Sequence, residues 1–345
     1  MAEVRRGTPI NALGEFGLIE RLTRNFQNIN SSTKKAIGDD AAIISNNGKE
    51  TIVSTDLLVE GIHFDLVYTP LKHLGYKSVV VNLSDIYAMN AQPKQITVSL
   101  AISSKFTVEA LEELYAGIQL ACKNYKVDLV GGDTTSSLSG LIISVTAIGE
   151  ATKEELVYRN GAKEGDLICV TGDLGGAYLG LQILEREKAI YLEHPEVQPE
   201  MENAEYLIGR QLKPEARKDV IQYFKEMNLK PTAMMDLSDG LSSDIFHICK
   251  QSNVGCELNE ASIPVNEETY NMALKFNLDP VTCALNGGED YELLFTIEPE
   301  DESKLSADEN FSIVGQITKQ ENGCVLITRN GNRHNLKAQG WKHFE

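Results

Sequence analysis

Apolar residues recur at every third or fourth position over 71–91, LKHLGYKSVVVNLSDIYAMNA. That is helical spacing, and its apolar density predicts a helix buried on most of its surface. The same period predicts helices over 14–26 (GEFGLIERLTRNF), 108–125 (VEALEELYAGIQLACKNY) and 177–187 (AYLGLQILERE), and a helical stretch over 201–226. Alternating or short continuous apolar runs predict strands in AIGDDAAIIS (36–45), ETIVSTDLL (50–58), QITVSLAIS (95–103), LIISVTAIGE (141–150), LICVTG (167–172) and YELLFTI (291–297). Two more strands are expected around 311–328, and VDLVGGD (127–133) reads as a strand ending in a glycine turn.

This mixture is an α/β (α+β) fold. With 345 residues the chain exceeds the usual ~100–200 of one domain, so two are expected. The polar, turn-rich segment YRNGAKEGD (158–166) marks a junction and places the domains at 1–150 and 151–345.

Carboxylates punctuate this pattern at apparent strand ends and tight turns. The stations are GDD (Asp39, Asp40), STD (Ser54, Thr55, Asp56), NLSD (Asp85), GGD (Asp133), DLSD (Asp236, Asp239) and GGED (Glu289, Asp290). Two of them resemble each other: VVVNLSDIYAMN (79–90) and AMMDLSDGLSSD (233–244) both run from an apolar stretch through [ND]-L-S-D into a helical pattern. Ser and Asp are good helix caps, which accounts for some of these residues but not for Asp236 at the end of an apolar run. Converging acids without matching Lys or Arg would raise one another's pKa unless cations were present. Hard divalent ions suit oxygen ligands, and Mg²⁺ usually keeps waters and is completed by substrate phosphates. The stations therefore read as a multi-Mg²⁺ phosphate site.

Composition narrows the alternatives. Thirty-two Lys+Arg against fifty Asp+Glu give a net charge of −18, which disfavours nucleic acid and anionic membranes as partners. No Walker-type G-x-x-x-x-G-K-[ST], kinase HRD or DFG, EF-hand loop or HExxH occurs. TGDLGGAYLG (171–180) departs from the dinucleotide fingerprint and reads as a turn and helix cap, and Asp244 with His247 reads as a local pair. The six cysteines form no CxxC pair and are expected to be reduced core residues. No apolar run approaches the ~18 residues of a membrane span, and a cytoplasmic protein is expected.

GEFGLI, IGDDAA, STDLLVEGIHF, VNLSDIYAMNAQP, LVGGDTT, YRNGAKEGD, DLSDGL, GGEDYELLF and GWKHF occur in that order along essentially the whole chain. In this the sequence resembles the thiamine-monophosphate kinase family. That family belongs to the superfamily of aminoimidazole ribonucleotide synthetase and selenophosphate synthetase. GDD, NLSD and DLSDGL carry only the superfamily resemblance. STDLLVEGIHF, GGEDYELLF and the late GWKHF are more specific to the kinase.

The resemblance implies a two-domain aminoimidazole ribonucleotide synthetase-like fold. Its N-terminal domain would form the dimer-interface sheet or barrel, and its C-terminal domain an α/β sandwich. It implies ATP as co-substrate, several Mg²⁺ ions, thiamine monophosphate as acceptor, and a homodimer. Residue by residue it implies Asp40, Ser54, Thr55, Asp56, Asp85, Asp133, Asp236 and Asp239 as Mg²⁺ ligands. Tyr115, Gly132, Asp133, Arg159 and Ser238 would contact ATP. His63, Glu289 and Trp341 would contact thiamine monophosphate. One departure is Asn90, where the family usually has Gly; Asn tolerates left-handed backbone, so activity should survive.

The implied chemistry suits these residue types. A phosphate acceptor has a second pKa near ~6 and is already largely ionised at neutral pH, so no strong general base is needed. The obstacle is repulsion between two anions, met by charge neutralisation and in-line positioning, with a planar Arg159 fork and metal-bound Asp236 contributing. The acid stations by themselves also fit another ATP-dependent enzyme of the superfamily, or a non-catalytic nucleotide-binding regulator.

Overall fold

The computed structural model describes residues 33–35, 39–46, 48–201, 204–305 and 310–338. The helix expected over 14–26 and the GWKHF segment lie outside the described residues.

The first half builds one sheet and two helices. Its elements are β1 (Thr33–Lys35), β2 (Ala42–Asn46), β3 (Lys49–Val59), α1 (Leu71–Ala88), β4 (Gln92–Ser103), α2 (Val108–Tyr125), β5 (Asp128–Ser137) and β6 (Ile142–Ala151). The strands are ordered β1-β2-β3-β6-β4-β5. All neighbours are antiparallel except β4 and β5, which α2 joins as a parallel crossover. Among the described residues the sheet is open, with β1 and β5 as edges and no closed barrel. Along β3, Ile52, Ser54 and Leu58 are buried while Thr55 and Leu57 are exposed, as the two-residue period of a strand requires. Helix α1 covers the buried face, and all its residues from Leu74 to Ala88 except Asp85 are buried.

The approach of α1 to α2 is set by glycine. A Cβ on Gly75 would sit 2.0 Å from the Leu114 carbonyl oxygen, and one on Gly117 would sit 1.9 Å from that of Lys72. Past α1, Asn90 adopts φ 55°, the left-handed conformation its side chain was expected to tolerate. Its Nδ2 donates to the Glu155 carbonyl at 2.7 Å.

The second half comprises β7 (Leu167–Thr171), α3 (Gly176–Glu193), α4 (Glu205–Leu212), α5 (Lys218–Glu226), β8 (Ala233–Asp236), α6 (Leu241–Ser252), β9 (Val254–Asn259), α7 (Glu267–Lys275), α8 (Pro280–Asn286), β10 (Leu293–Ile297), β11 (Phe311–Lys319), β12 (Cys324–Ile327) and β13 (Arg333–Asn335). Its strand order is β13-β12-β9-β11-β7-β10-β8. Both faces are covered, so adjacent strand residues enter opposite cores. Met235, Leu294, Ile168 and Val170 pack with Ile245 and Ile248 of α6, whereas Met234, Phe295 and Cys169 pack with Phe224 of α5. Ala88 and Val157 enter the second of these cores, fastening the end of α1 to the other half.

Three expectations need correction. VDLVGGD does not end in a turn; β5 runs straight through both glycines. A Cβ on Gly132 would lie 1.8 Å from the Val98 carbonyl oxygen, so glycine serves close strand approach there. The 201–226 stretch is split into α4 and α5 around Pro214, which disfavours helical backbone in the residue before it. NLSD lies inside α1, not at a strand end.

Gly117→Ala is expected to destabilise the protein by about 1–3 kcal/mol, because backbone must move to admit the methyl group. Urea denaturation checks this, and an unchanged midpoint would show that α1 and α2 can separate freely.

Candidate functional site

A cavity of about 1070 Å³ opens where the two halves meet. One wall carries the acids. Asp40 lies beside β2, Asp85 projects from α1, and Asp236 ends β8. Each offers a carboxylate oxygen, and these three atoms lie within 4.8 Å of one another. Asp56 of β3 also lines the cavity, its backbone N–H donating to Asn82 Oδ1 at 2.9 Å.

Polar partners fix the trio. The Arg159 guanidinium makes a two-pronged pair with Asp40, Nε to Oδ2 and Nη2 to Oδ1, both at 2.7 Å. Ser54 Oγ donates to Asp85 Oδ2. Ser84 Oγ donates to Asp236 Oδ2 at 2.7 Å. That last bond joins the NLSD motif to the DLSD motif across the two halves.

The electrostatics are unfavourable without added positive charge. Burial, then repulsion from Asp56, Asp236 and Asp40, pushes the Asp85 carboxyl well above its ordinary range. Burial, then repulsion from Asp40, pushes Asp236 up to about 8. A cation among these oxygens would reverse both shifts. The donor set is entirely oxygen and mostly carboxylate, which fits a hard divalent ion.

Three residues of the GGED turn, Gly287, Gly288 and Glu289, also line the cavity. Glu289 and Tyr291 hold φ 56° and 51°, left-handed values uncommon for non-glycine residues. The turn is locked to DLSD by Glu289 N–H donating to the Ser238 carbonyl (2.7 Å) and Tyr291 N–H to that of Leu237 (2.9 Å). The Glu289 carboxylate accepts from Lys77 Nζ at 3.1 Å and Gln211 Nε2 at 2.6 Å. His63 lines the mouth, with Nδ1 accepting the Val59 N–H at 3.0 Å, which leaves Nε2 as its donor.

The structure thus brings Asp40, Ser54, Asp56, His63, Asp85, Arg159, Asp236, Ser238, Asp239 and Glu289 to one cavity. It treats the others differently. Thr55 borders the cavity, but its hydroxyl donates to the Val145 carbonyl at 3.0 Å, and strand alternation sets its side chain opposite Ser54 and Asp56. Gly132 and Asp133 sit on exposed edge strand β5 and Tyr115 on α2, and none of the three lines the cavity. Trp341 lies outside the described residues. Asp244 is buried and accepts the Gly240 N–H at 3.1 Å, which makes it a cap at the start of α6. Asp290 likewise caps α3, accepting the Gly175 N–H at 2.8 Å.

Several cavity residues escaped sequence reasoning. Lys77 is buried and reaches Glu289; its one signal was a lysine inside an apolar helical run. Ser84 had no signal beyond its place in NLSD. Tyr68 donates to Glu185 at 2.7 Å, and Lys188 pairs with Asp65 at 2.8 Å. These contacts tie the loop after β3 to α3, and no local pattern foretells them.

Residues 38–151 match the family described as AIR synthase related protein, N-terminal domain, and residues 163–327 match its C-terminal domain. The chain is 36% identical over 335 residues to thiamine-monophosphate kinase of Aquifex aeolicus, covering 97% of this chain and 99% of that one. It is 33% identical over 339 residues to thiamine-monophosphate kinase of Bacillus subtilis, covering 96% and 100%. The fold matches the solved structure of AaThiL complexed with AMPPCP and TMP, at TM-score 0.83 and 33% identity, over 98% of this chain and 99% of that one. It also matches thiamine-monophosphate kinase from Stenotrophomonas maltophilia K279a, at TM-score 0.72 and 30% identity, over 93% and 98%. With both family domains in order and near-complete coverage by these relatives, the chain belongs to the thiamine-monophosphate kinase family of AIR synthase related proteins.

Proposed function

We infer that the cavity transfers the γ-phosphoryl group of ATP to the phosphate of thiamine monophosphate, giving ADP and thiamine diphosphate. The observation that carries the mechanism is the convergence of Asp40, Asp85 and Asp236 within 4.8 Å. The relatives' names and the neighbour complexed with AMPPCP and TMP support the reaction.

The acceptor phosphate arrives ionised, so the chain needs positioning and charge balance more than a base. Asp40, Ser54, Asp56, Asp85, Asp236 and Asp239 would hold Mg²⁺; the Thr55 side chain points away from Ser54 and Asp56 and drops out of the set, and Asp133 could join it only from a second copy. Bound ions would supply Lewis-acid neutralisation of phosphate oxygens and a template for in-line approach. Arg159 orients Asp40 with its fork and contributes charge stabilisation near the transferred group. Ser54 and Ser84 orient Asp85 and Asp236. Ser238 contacts ATP from the DLSD turn.

Thiamine carries a permanent positive charge. Glu289, held by Lys77 and Gln211, faces that cation from the cavity lining, with His63 beside it in the same cavity. Trp341, outside the described residues, would supply a cation–π face, which is worth ~0.5–2 kcal/mol.

We assign residues 1–150 to ATP and metal binding and dimerisation, and residues 151–345 to completing the site. A homodimer is supported by the open N-terminal sheet, where Leu57, Leu129 and Val130 are exposed at 54%, 44% and 58%. Pairing through β5 would carry Tyr115, Gly132 and Asp133 toward the nucleotide of a second copy. Among the described residues no helix is long and apolar enough to cross a membrane, and we place the reaction in the cytoplasm.

Asp236→Asn should lower kcat on the order of 1000-fold, since several kcal/mol of charge stabilisation is lost. In chelator the same change should raise the melting temperature, because it removes a buried, mutually repelling carboxylate. Full turnover of the variant at low Mg²⁺ would contradict the role. Glu289→Gln should raise KM for thiamine monophosphate about 10-fold with little change for ATP, a loss of ~1.4 kcal/mol in binding the cationic substrate. Equal effects on both substrates in steady-state kinetics would count against it.

A further inference from the structure

Far from the carboxylates, three cysteines converge. Cys256 of β9 and Cys324 of β12 are direct partners in a parallel register, so their side chains share one face of the sheet. Cys249, near the end of α6, lies over that face. The three sulfur atoms lie within 4.8 Å of one another. Cys249 and Cys256 are 4% and 0% exposed, and Cys324 is half-buried. Among the described residues, no His, Asp or Glu joins the group.

We propose that Cys249, Cys256 and Cys324 form a trigonal thiolate site for a soft d¹⁰ metal ion, zinc(II) or copper(I). An ion bonded to sulfur at ~2.3 Å at the centre of a triangle needs edges of about 4.0 Å. Sulfurs within 4.8 Å of one another place the centre no more than about 2.8 Å from each, so shifts of a few tenths of an ångström complete the site. An all-sulfur set selects soft ions and disfavours Mg²⁺. Cys324, the half-buried corner, would meet an entering ion first and give up its proton on binding. The remaining thiols then release their protons to solvent as they coordinate, and no oxidant is required. The ion would pin the far end of α6, whose first turn follows Ser238 and Asp239 of the cavity. Cys249 lies eight residues along this helix from Leu241, about 12 Å.

Native mass spectrometry of the reduced, chelator-washed full-length protein tests this, with zinc(II) in one arm and copper(I) under anaerobic conditions in the other. The expected result is one ion per chain in at least one arm, a raised melting temperature, and no displacement by excess Mg²⁺. Cys256→Ser and Cys324→Ala should each lose the ion, while Asp236→Asn keeps it. Cys324→Ala alters only a half-buried side chain, so it decides the matter if Cys256→Ser misfolds. No stoichiometric uptake in either arm would overturn the proposal. So would uptake surviving in Cys324→Ala, or a disulfide among the three in place of a bound ion.

Discussion

The constraint on which the rest depends is the confinement of like charge. Asp40, Asp85 and Asp236 come from three separate elements to within 4.8 Å, and among the described residues a single guanidinium, that of Arg159, pairs directly with the trio. Repulsion alone would drive such groups apart or neutralise them, as the raised Asp85 and Asp236 show. They stay because each is anchored to a rigid part of the fold: Asp85 to a helix buried along most of its length, Asp236 to a strand buried on both faces, Asp40 to Arg159. In the function proposed above, cations and phosphates bound to that preformed array of oxygens would offset the cost to stability.

The architecture follows from that requirement. Helix α1 covers the first sheet, brings Lys77 and Asp85 to the cavity, and supports it through Asn82 and Ser84, which bond Asp56 and Asp236. Its end enters the core of the second half, so both domains fix its position. The strained GGED turn is bonded to DLSD backbone to backbone, which fixes Glu289 in the same cavity as the acids. Thus the turn and the oxygen array are parts of one locked unit.

Much of this was legible in the sequence, because period and turn chemistry are local properties. The helix read over 108–125 coincides with α2, and the acids named from their motifs mostly reach one cavity. What could not be read depended on tertiary context. NLSD and DLSD look alike, yet the first continues into Ile86 and Tyr87 within α1, while the second stops at Gly240, the residue that precedes α6. The Ser84–Asp236 bond spans 152 residues, and no local rule anticipates it. The glycines of β5 signalled a turn because the carbonyl of Val98 that requires one of them is on another strand. Asp133 and Tyr115 were named through the resemblance, and neither lines the cavity within one chain.

The most direct test is product formation. Purified protein would be incubated with MgATP and thiamine monophosphate, and thiamine diphosphate followed by thiochrome chromatography, with chelator and free-thiamine controls. The account predicts thiamine diphosphate from the monophosphate, none from thiamine, and none once divalent ions are removed. Product that persists in chelator, or no product while ATP still binds, would contradict it.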